Sequence, residues 1–234
     1  MKTTALIVAA GSGRRMGSDL PKAYLPLAGV PLLTYSLELF ARHPAIDAIV
    51  VVVPQGMVDV TRRLTDGIPR VSAVTEGGAL RVDSVRRGFE RIESGAGDDD
   101  LVLVHDAARP LASPELVSTV IDAAKRTGAA VPGLRPTDTV RETAAGPVPG
   151  GPSLAVRRID RDRLVLVQTP QGFRVRLLAE ALKRAAAAAL PGDATDDAAL
   201  IEMLGHSVAI VEGSPINFKI TRSEDLKMAE GWLA

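Results

Sequence analysis

Three short stretches carry residues whose types and spacing could do phosphate chemistry. Leu6 to Gly17 reads LIVAAGSGRRMG, an apolar run that breaks into glycines and then two arginines. Glycines let backbone N–H groups close on an anion with no Cβ in the way. Arginine adds bidentate contacts to phosphate. The same residues would serve a plain strand-to-loop turn, so the rest of the chain must choose between the two. Pro21-Lys22 follows. A lysine at that distance can fold back over the same phosphates as a compact charge, or it can sit on the surface and do nothing. In LVLVHDAARP, Leu101 to Pro110, Asp106 closes a strongly apolar run. A single carboxylate beside a triphosphate suits Mg²⁺, which takes one or two carboxylates and completes its shell with phosphate oxygens and water. The plainer alternative is an aspartate that caps the next turn. Arg109 could hold a second anionic substrate, and His105 reads as a packed or hydrogen-bonded side chain rather than a metal ligand.

Two common glycine motifs fail here. The dinucleotide fingerprint wants a third glycine where Met16 stands, and an acidic residue closing the next strand where Pro54 and Gln55 stand. No Gly-Lys-Ser/Thr follows at Walker spacing.

Something must hold these side chains together. The chain has 234 residues, 46% apolar and 24% charged, with a formal net charge of zero. That is globular composition with room for a real core, and any affinity for anions has to be local. The absence of cysteine excludes disulfides, thiol catalysis and thiolate metal sites, and three histidines leave little for a histidine-rich one. The opening apolar run is too short for a signal core, and no apolar run reaches membrane-spanning length. A cytoplasmic protein is expected, with no nucleic-acid or membrane partner.

TALIVAA, DAIVVVVP, RVSAV, LVLVHD and GAAVPG read as short strands, buried on both faces because they scarcely alternate. Between them lie helical spacings, Val82, Val85, Phe89 and Ile92 in one and Leu116, Val120, Ile121 and Ala124 in another. Ser113-Pro114 gives the latter an N-cap and a favoured first residue. Strand and helix in alternation predict an α/β fold, a mainly parallel sheet flanked by helices. After Pro136 the rhythm breaks: TDTVRET and SLAVRRIDR flank a Pro/Gly-rich tip, AAGPVPGGP. This predicts a protruding hairpin that packs on a second subunit. LVLVQTPQGF then returns as a buried strand, followed by a helix over 174–190 and a helix capped by Thr195. SVAIVEG and NFKI read as late strands, and Thr221 with Glu224 has the spacing of a capping box before a last helix.

AAGSGRRMG with PK, then GG with RVDSV, HDAARP, DTV, DR, TPQGF and NFKIT occur in an order that resembles the 2-C-methyl-D-erythritol 4-phosphate cytidylyltransferase family through essentially the whole length. The resemblance implies a Rossmann-like nucleotidyltransferase fold in one domain over 1–234, with 136–164 as a β-arm that locks a homodimer. It implies cytidylyl transfer from CTP to methylerythritol phosphate with release of pyrophosphate, in the non-mevalonate isoprenoid precursor pathway. Carried over by motif, Ala9, Ala10, Gly11, Ser12 and Gly13 line the triphosphate. Gly78 and Ser84 read the cytosine and its surroundings, and Arg81 supports their loop. Arg15 and Lys22 are the catalytic cations, and Asp106 is the ligand of Mg²⁺ or another divalent cation. Arg109, Asp138, Thr139, Arg161, Thr169 and Lys219 surround the methylerythritol phosphate, with Thr139 and Arg161 crossing from the partner's arm. Ala79 departs from the family pattern, standing where some relatives have an acidic residue, so no side-chain contact is expected there. A ribitol 5-phosphate cytidylyltransferase and a non-catalytic nucleotide-binding regulator on the same fold remain as alternatives.

Overall fold

The computed structural model describes residues 1–11, 20–144, 154–187 and 196–233. In chain order its elements are β1 (Thr3–Val8), β2 (Pro26–Leu27), β3 (Val30–Pro31), α1 (Leu32–Arg42), β4 (Ala48–Val53), α2 (Val58–Leu64), β5 (Val71–Glu76) and α3 (Arg81–Glu93). Next come β6 (Leu101–Asp106), α4 (Pro114–Thr127), β7 (Ala129–Leu134), β8 (Arg141–Thr143), β9 (Ala155–Arg158), β10 (Leu166–Val167) and β11 (Gln171–Arg174). The chain ends with α5 (Val175–Ala187), α6 (Asp197–Met203), β12 (Ala209–Glu212) and α7 (Ser223–Leu233).

Alternate residues of the central strands feed two different cores, because successive side chains leave opposite faces of a sheet. Ala5 and Ile7 of β1 and Leu101 and Leu103 of β6 pack with α1 and α4. Leu6, Val102 and Val104 pack with α3, α5 and α6. This is the two-sided burial that non-alternating apolar runs require; RVSAV departs from it, because β5 lies at the sheet edge and is only partly buried. The predicted periodicity holds: Val85, Phe89 and Ile92 of α3 are buried and Val82 is partly buried against the same core, while Leu116, Val120, Ile121 and Ala124 of α4 are buried. The Ser113 side chain accepts from the Leu116 amide as an N-cap. Gly88 lets α3 lie close on the sheet, since a Cβ there would stand 2.4 Å from the Leu6 side chain and 2.5 Å from that of Val52.

The main sheet runs β10-β7-β11-β6-β1-β4-β5, with β12 also on β7. Pairings β1–β4, β1–β6, β4–β5 and β7–β12 are parallel, and β11 inserts antiparallel between β6 and β7. From β1 the order steps one way to β4 and the other way to β6. A crevice opens at such a switch point, outside the carboxyl ends of the strands.

The structure corrects four local expectations. LVLVQTPQGF is not one strand: a cis Thr169–Pro170 bond separates β10 from β11, and Leu166 is exposed. NFKI is not a strand, although Asn217 and Ile220 are buried. The caps also differ. Asp196 caps α6 by accepting from the Ala199 amide, and Thr195 lies outside the described residues. Before α7 the carboxylate of Asp225, not Glu224, receives the amides of Thr221 and Arg222 at 2.6 and 2.8 Å. Asp and Glu differ by one methylene, and here the shorter side chain one position later meets two unpaired N–H groups. The expected hairpin forms as β8 against β9, antiparallel and exposed throughout, with its tip outside the described residues.

Candidate active site

A cleft of about 730 Å³ opens at the β1/β6 switch point. Its walls come from three strand ends: Ala9, Ala10 and Gly11 after β1, Gly78 to Arg81 after β5, and Asp106 to Ala108 closing β6. Lys22 and Lys219 complete it. Local hydrogen bonds fix each wall. The Ala9 amide donates to the Val52 carbonyl, the Ala107 amide to Val8, and the Gly77 amide to Val53. The loop after β5 is held from below. Ser84 Oγ takes the Gly78 amide at 3.1 Å and donates to the Leu80 carbonyl at 3.2 Å, and Arg87 holds the Gly77 carbonyl at 2.7 Å. Glycine is required there by space: a Cβ on Gly77 would lie 2.4 Å from Ala10 Cβ, and one on Gly78 would lie 2.3 Å from Asp83 Cβ.

Among the described lining residues, two cations face one carboxylate, and a third, Lys22, shares the cleft with them. Lys219 Nζ donates to Asp106 Oδ2 at 2.6 Å, and an Arg81 nitrogen stands 3.4 Å from Asp106 Oδ1. The same arginine nitrogen lies 2.8 Å from Asp197 Oδ2, behind the cleft. Burial alone would raise the Asp106 pKa. Arg81, Lys219 and Arg109 outweigh it and hold the carboxyl well below the usual range. Burial also opposes charge on Arg81, but Asp197 and Asp106 outweigh it and keep the guanidinium protonated. Lys22 Nζ donates to the Ile220 carbonyl at 2.9 Å, and the Ile220 amide in turn binds the Ala108 carbonyl.

Beneath Asp106 lies a buried polar layer. Its amide donates to Thr169 Oγ1 at 3.1 Å, and Thr169 Oγ1 is 3.2 Å from His105 Nδ1. His105 Nε2 faces the Arg109 carbonyl, and its ring meets Phe40 edge-on. Burial pushes its pKa down to about 4, so it is neutral at neutral pH and packs as expected. Arg109 donates to the carbonyls of Asn217 and Val167, and Asn217 in turn donates to the Thr169 carbonyl.

Of the residues singled out from sequence, Ala9, Ala10, Gly11, Lys22, Gly78, Arg81, Ser84, Asp106 and Lys219 meet in this cleft. Thr169 and Arg109 join it through hydrogen bonds to Asp106 and to the 217–220 segment. Asp138, Thr139 and Arg161 do not line it; they are exposed at the base of the β8–β9 arm, where Arg161 holds the Thr137 carbonyl. Ser12, Gly13 and Arg15 lie outside the described residues. Sequence reasoning missed Asp197 and the Gln168–Asn217 pair. An aspartate at the start of an apolar helical pattern looks like a cap. Only its 1% exposure reveals it as a buried charge.

A divalent cation fits this site in one way. Among the described residues no three His, Cys, Asp or Glu side chains cluster as a metal cage. The ionised Asp106 oxygens on the cleft wall offer one hard ligand, which suits a magnesium shell completed by phosphate and water.

Comparisons with known proteins identify the family. The family model IspD: 2-C-methyl-D-erythritol 4-phosphate cytidylyltransferase matches residues 3–234. A protein of that name from Syntrophotalea carbinolica is 42% identical over 236 residues, covering 100% of this chain and 97% of its own. One from Rhodococcus jostii is 43% identical over 227 residues, covering 96% of this chain and 92% of its own. The crystal structure of the Thermus thermophilus enzyme of that name superposes with a TM-score of 0.76 at 39% identity, covering 99% of this chain and 98% of that one. The chain therefore belongs to the 2-C-methyl-D-erythritol 4-phosphate cytidylyltransferase family, nucleotidyltransferases that join CTP and methylerythritol phosphate in the isoprenoid precursor pathway.

Proposed function

We propose that the cleft at the β1/β6 switch point performs this transfer with the following division of labour. The observation that carries it is Asp106, paired with Arg81 and Lys219, lining one cleft with Lys22 and the backbone of Ala9 to Gly11. The nucleophile is a phosphate-monoester oxygen, already anionic near neutral pH, so the reaction needs no general base. Its difficulty is bringing one anion against another, and positioning with charge neutralisation supplies the catalysis. Ala9 to Gly13 cradle the triphosphate, while Gly78 and Ser84 shape the cytosine pocket. Arg15 and Lys22 offset the charge that builds on the α-phosphate and the departing pyrophosphate. Asp106 would hold Mg²⁺ or another divalent cation together with phosphate oxygens, and the bound ion would neutralise the leaving group.

Arg109, Asp138, Thr139, Arg161, Thr169 and Lys219 receive the methylerythritol phosphate. Three of these, Asp138, Thr139 and Arg161, stand outside the cleft of their own chain. The exposed β8–β9 arm, with Leu154 and Val156 open to solvent, supports a homodimer in which the arm delivers Thr139 and Arg161 to the partner's cleft. The chain works as one catalytic unit over 1–234, with 136–164 as the arm. Both substrates are multiply charged and do not cross bilayers unaided, which favours a cytoplasmic enzyme.

Subunit mixing tests the roles and the crossing together. Lys22→Ala should cost on the order of 10²–10³ in turnover, and Arg161→Ala should raise the KM for methylerythritol phosphate while leaving that for CTP nearly unchanged. In a mixed dimer of the two variants, one of the two clefts has Lys22 on its own chain and Arg161 from the partner. Unfolding and refolding an equal mixture should therefore restore about a quarter of wild-type turnover at low substrate. No recovery, with dimers present, would place Arg161 in its own chain's site.

A further inference from the structure

Asp197 is 1% exposed and is absent from the cleft wall, yet it touches the arginine that faces the proposed cation ligand. Its carboxylate oxygens have no hydrogen-bond donor of good geometry, and its close cation among the described residues is Arg81 at 2.8 Å. A charge taken out of water survives only when compensated, and the compensating charge beside Asp197 is Arg81. The pair is anchored from the sheet. Gln171 of β11 is buried, and its Oε1 accepts the amides of Asp197 and Ala198 at 3.2 Å each. Its Nε2 donates to Asp196 Oδ2 at 2.9 Å. This fixes the first turn of α6, and with it the direction from which Asp197 reaches Arg81.

One Arg81 nitrogen is thereby shared between two carboxylates, closer to Asp197 at 2.8 Å than to Asp106 at 3.4 Å. We propose that Asp197 is a positioning residue for the divalent-cation site: from behind the cleft it draws the Arg81 charge toward itself, leaving Asp106 able to accept a cation. Without Asp197, Arg81 would close onto Asp106 and compete for its lone pairs. The lost negative charge would also raise the local potential against a cation. Both effects have the same sign. The inference rests on the reading of Asp106 as the cation ligand.

The experiment measures binding of Mn²⁺ to enzyme saturated with a non-hydrolysable CTP analogue, followed by loss of the free-ion EPR signal. Asp197→Asn keeps the shape and removes the charge. Its Mn²⁺ Kd should rise about tenfold, the scale on which residues behind a metal ligand commonly act. The Mg²⁺ concentration for half-maximal turnover should rise in parallel, and kcat at saturating Mg²⁺ should fall far less. If Asp197→Asn does not fold, Asp197→Ser leaves room for water around Arg81 and carries the same expectation. Asp106→Asn, measured beside it, separates two failures. If Asp106→Asn weakens Mn²⁺ binding and Asp197→Asn does not, this inference is wrong. If neither does, the assignment of Asp106 as ligand falls first.

Discussion

Replacing Arg81 by Met keeps an unbranched side chain of similar length and removes the cation that Asp197 faces. The structure sets the size of the effect. Asp197 is almost fully buried and its carboxylate has no other close cation among the described residues. Breaking a buried ion pair from one side commonly costs about 3–5 kcal/mol. The protein has an escape, which is to protonate Asp197. For a carboxyl of ordinary pKa, that escape costs about 4 kcal/mol at pH 7 but only about 1.5 kcal/mol at pH 5. That route caps the loss in Arg81→Met at about 4 kcal/mol at pH 7 and about 1.5 kcal/mol at pH 5, and the loss falls below the cap to the extent that burial has already raised the native Asp197 pKa. The sign follows from linkage. Burial already raises the Asp197 pKa in the native protein, with Arg81 opposing it. In the variant the folded pKa rises further above the unfolded value. The stability that the proton confers is then fully present below about pH 4 and is lost as pH rises through the folded pKa. Urea unfolding of both proteins at pH 5, 6 and 7, compared as differences, gives the test, and melting-point shifts of up to about 10 °C at pH 7 and up to about half that at pH 5 should accompany it. A destabilisation that is the same at pH 5 and pH 7 would refute the reasoning, because Asp197 would then not be the group that Arg81 compensates.

Two other outcomes are expected. His105 is buried neutral, with its pKa near 4 against about 6.5 unfolded, so its contribution is present above pH 6.5 and is lost as pH falls toward 4. About 3 kcal/mol should disappear over that window, and His105→Gln should flatten it in urea unfolding. Gly77→Ala places a Cβ 2.4 Å from Ala10 Cβ and 2.6 Å from Ser84 Oγ. The clash should lower stability by about 1–3 kcal/mol and weaken CTP binding in calorimetry, because the loops after β1 and β5 are forced apart.

The layers, and the strand edge where chemistry happens, follow from local pattern. Runs such as AIVVVV and LVLVHD are too apolar to face water on either side, so they had to become central strands covered by helices. Glycines after β1 and an aspartate closing β6 then fell on one edge, because parallel strands end together. Spacing also set α3 and α4, where a 3.6-residue repeat puts every apolar side chain on the face toward the sheet. Which side chains face each other is set by packing across chain separations that no local pattern reports. Lys219 lies 113 residues from Asp106 and still donates to it at 2.6 Å. The segment 217–220, which reads as a strand, is instead held by side chains and by single backbone bonds: Arg109 donates to the Asn217 carbonyl, Asn217 Nδ2 to Gln168, and Lys22 to the Ile220 carbonyl. Asp197 looks like a helix cap in sequence. It becomes a buried counter-charge because β11 inserts antiparallel beside β6 and brings the start of α6 behind Arg81. Periodicity encodes burial through local geometry, whereas the pairing of charges depends on where the sheet order puts them. The Asp106–Arg81–Asp197 array exists only once that order is built.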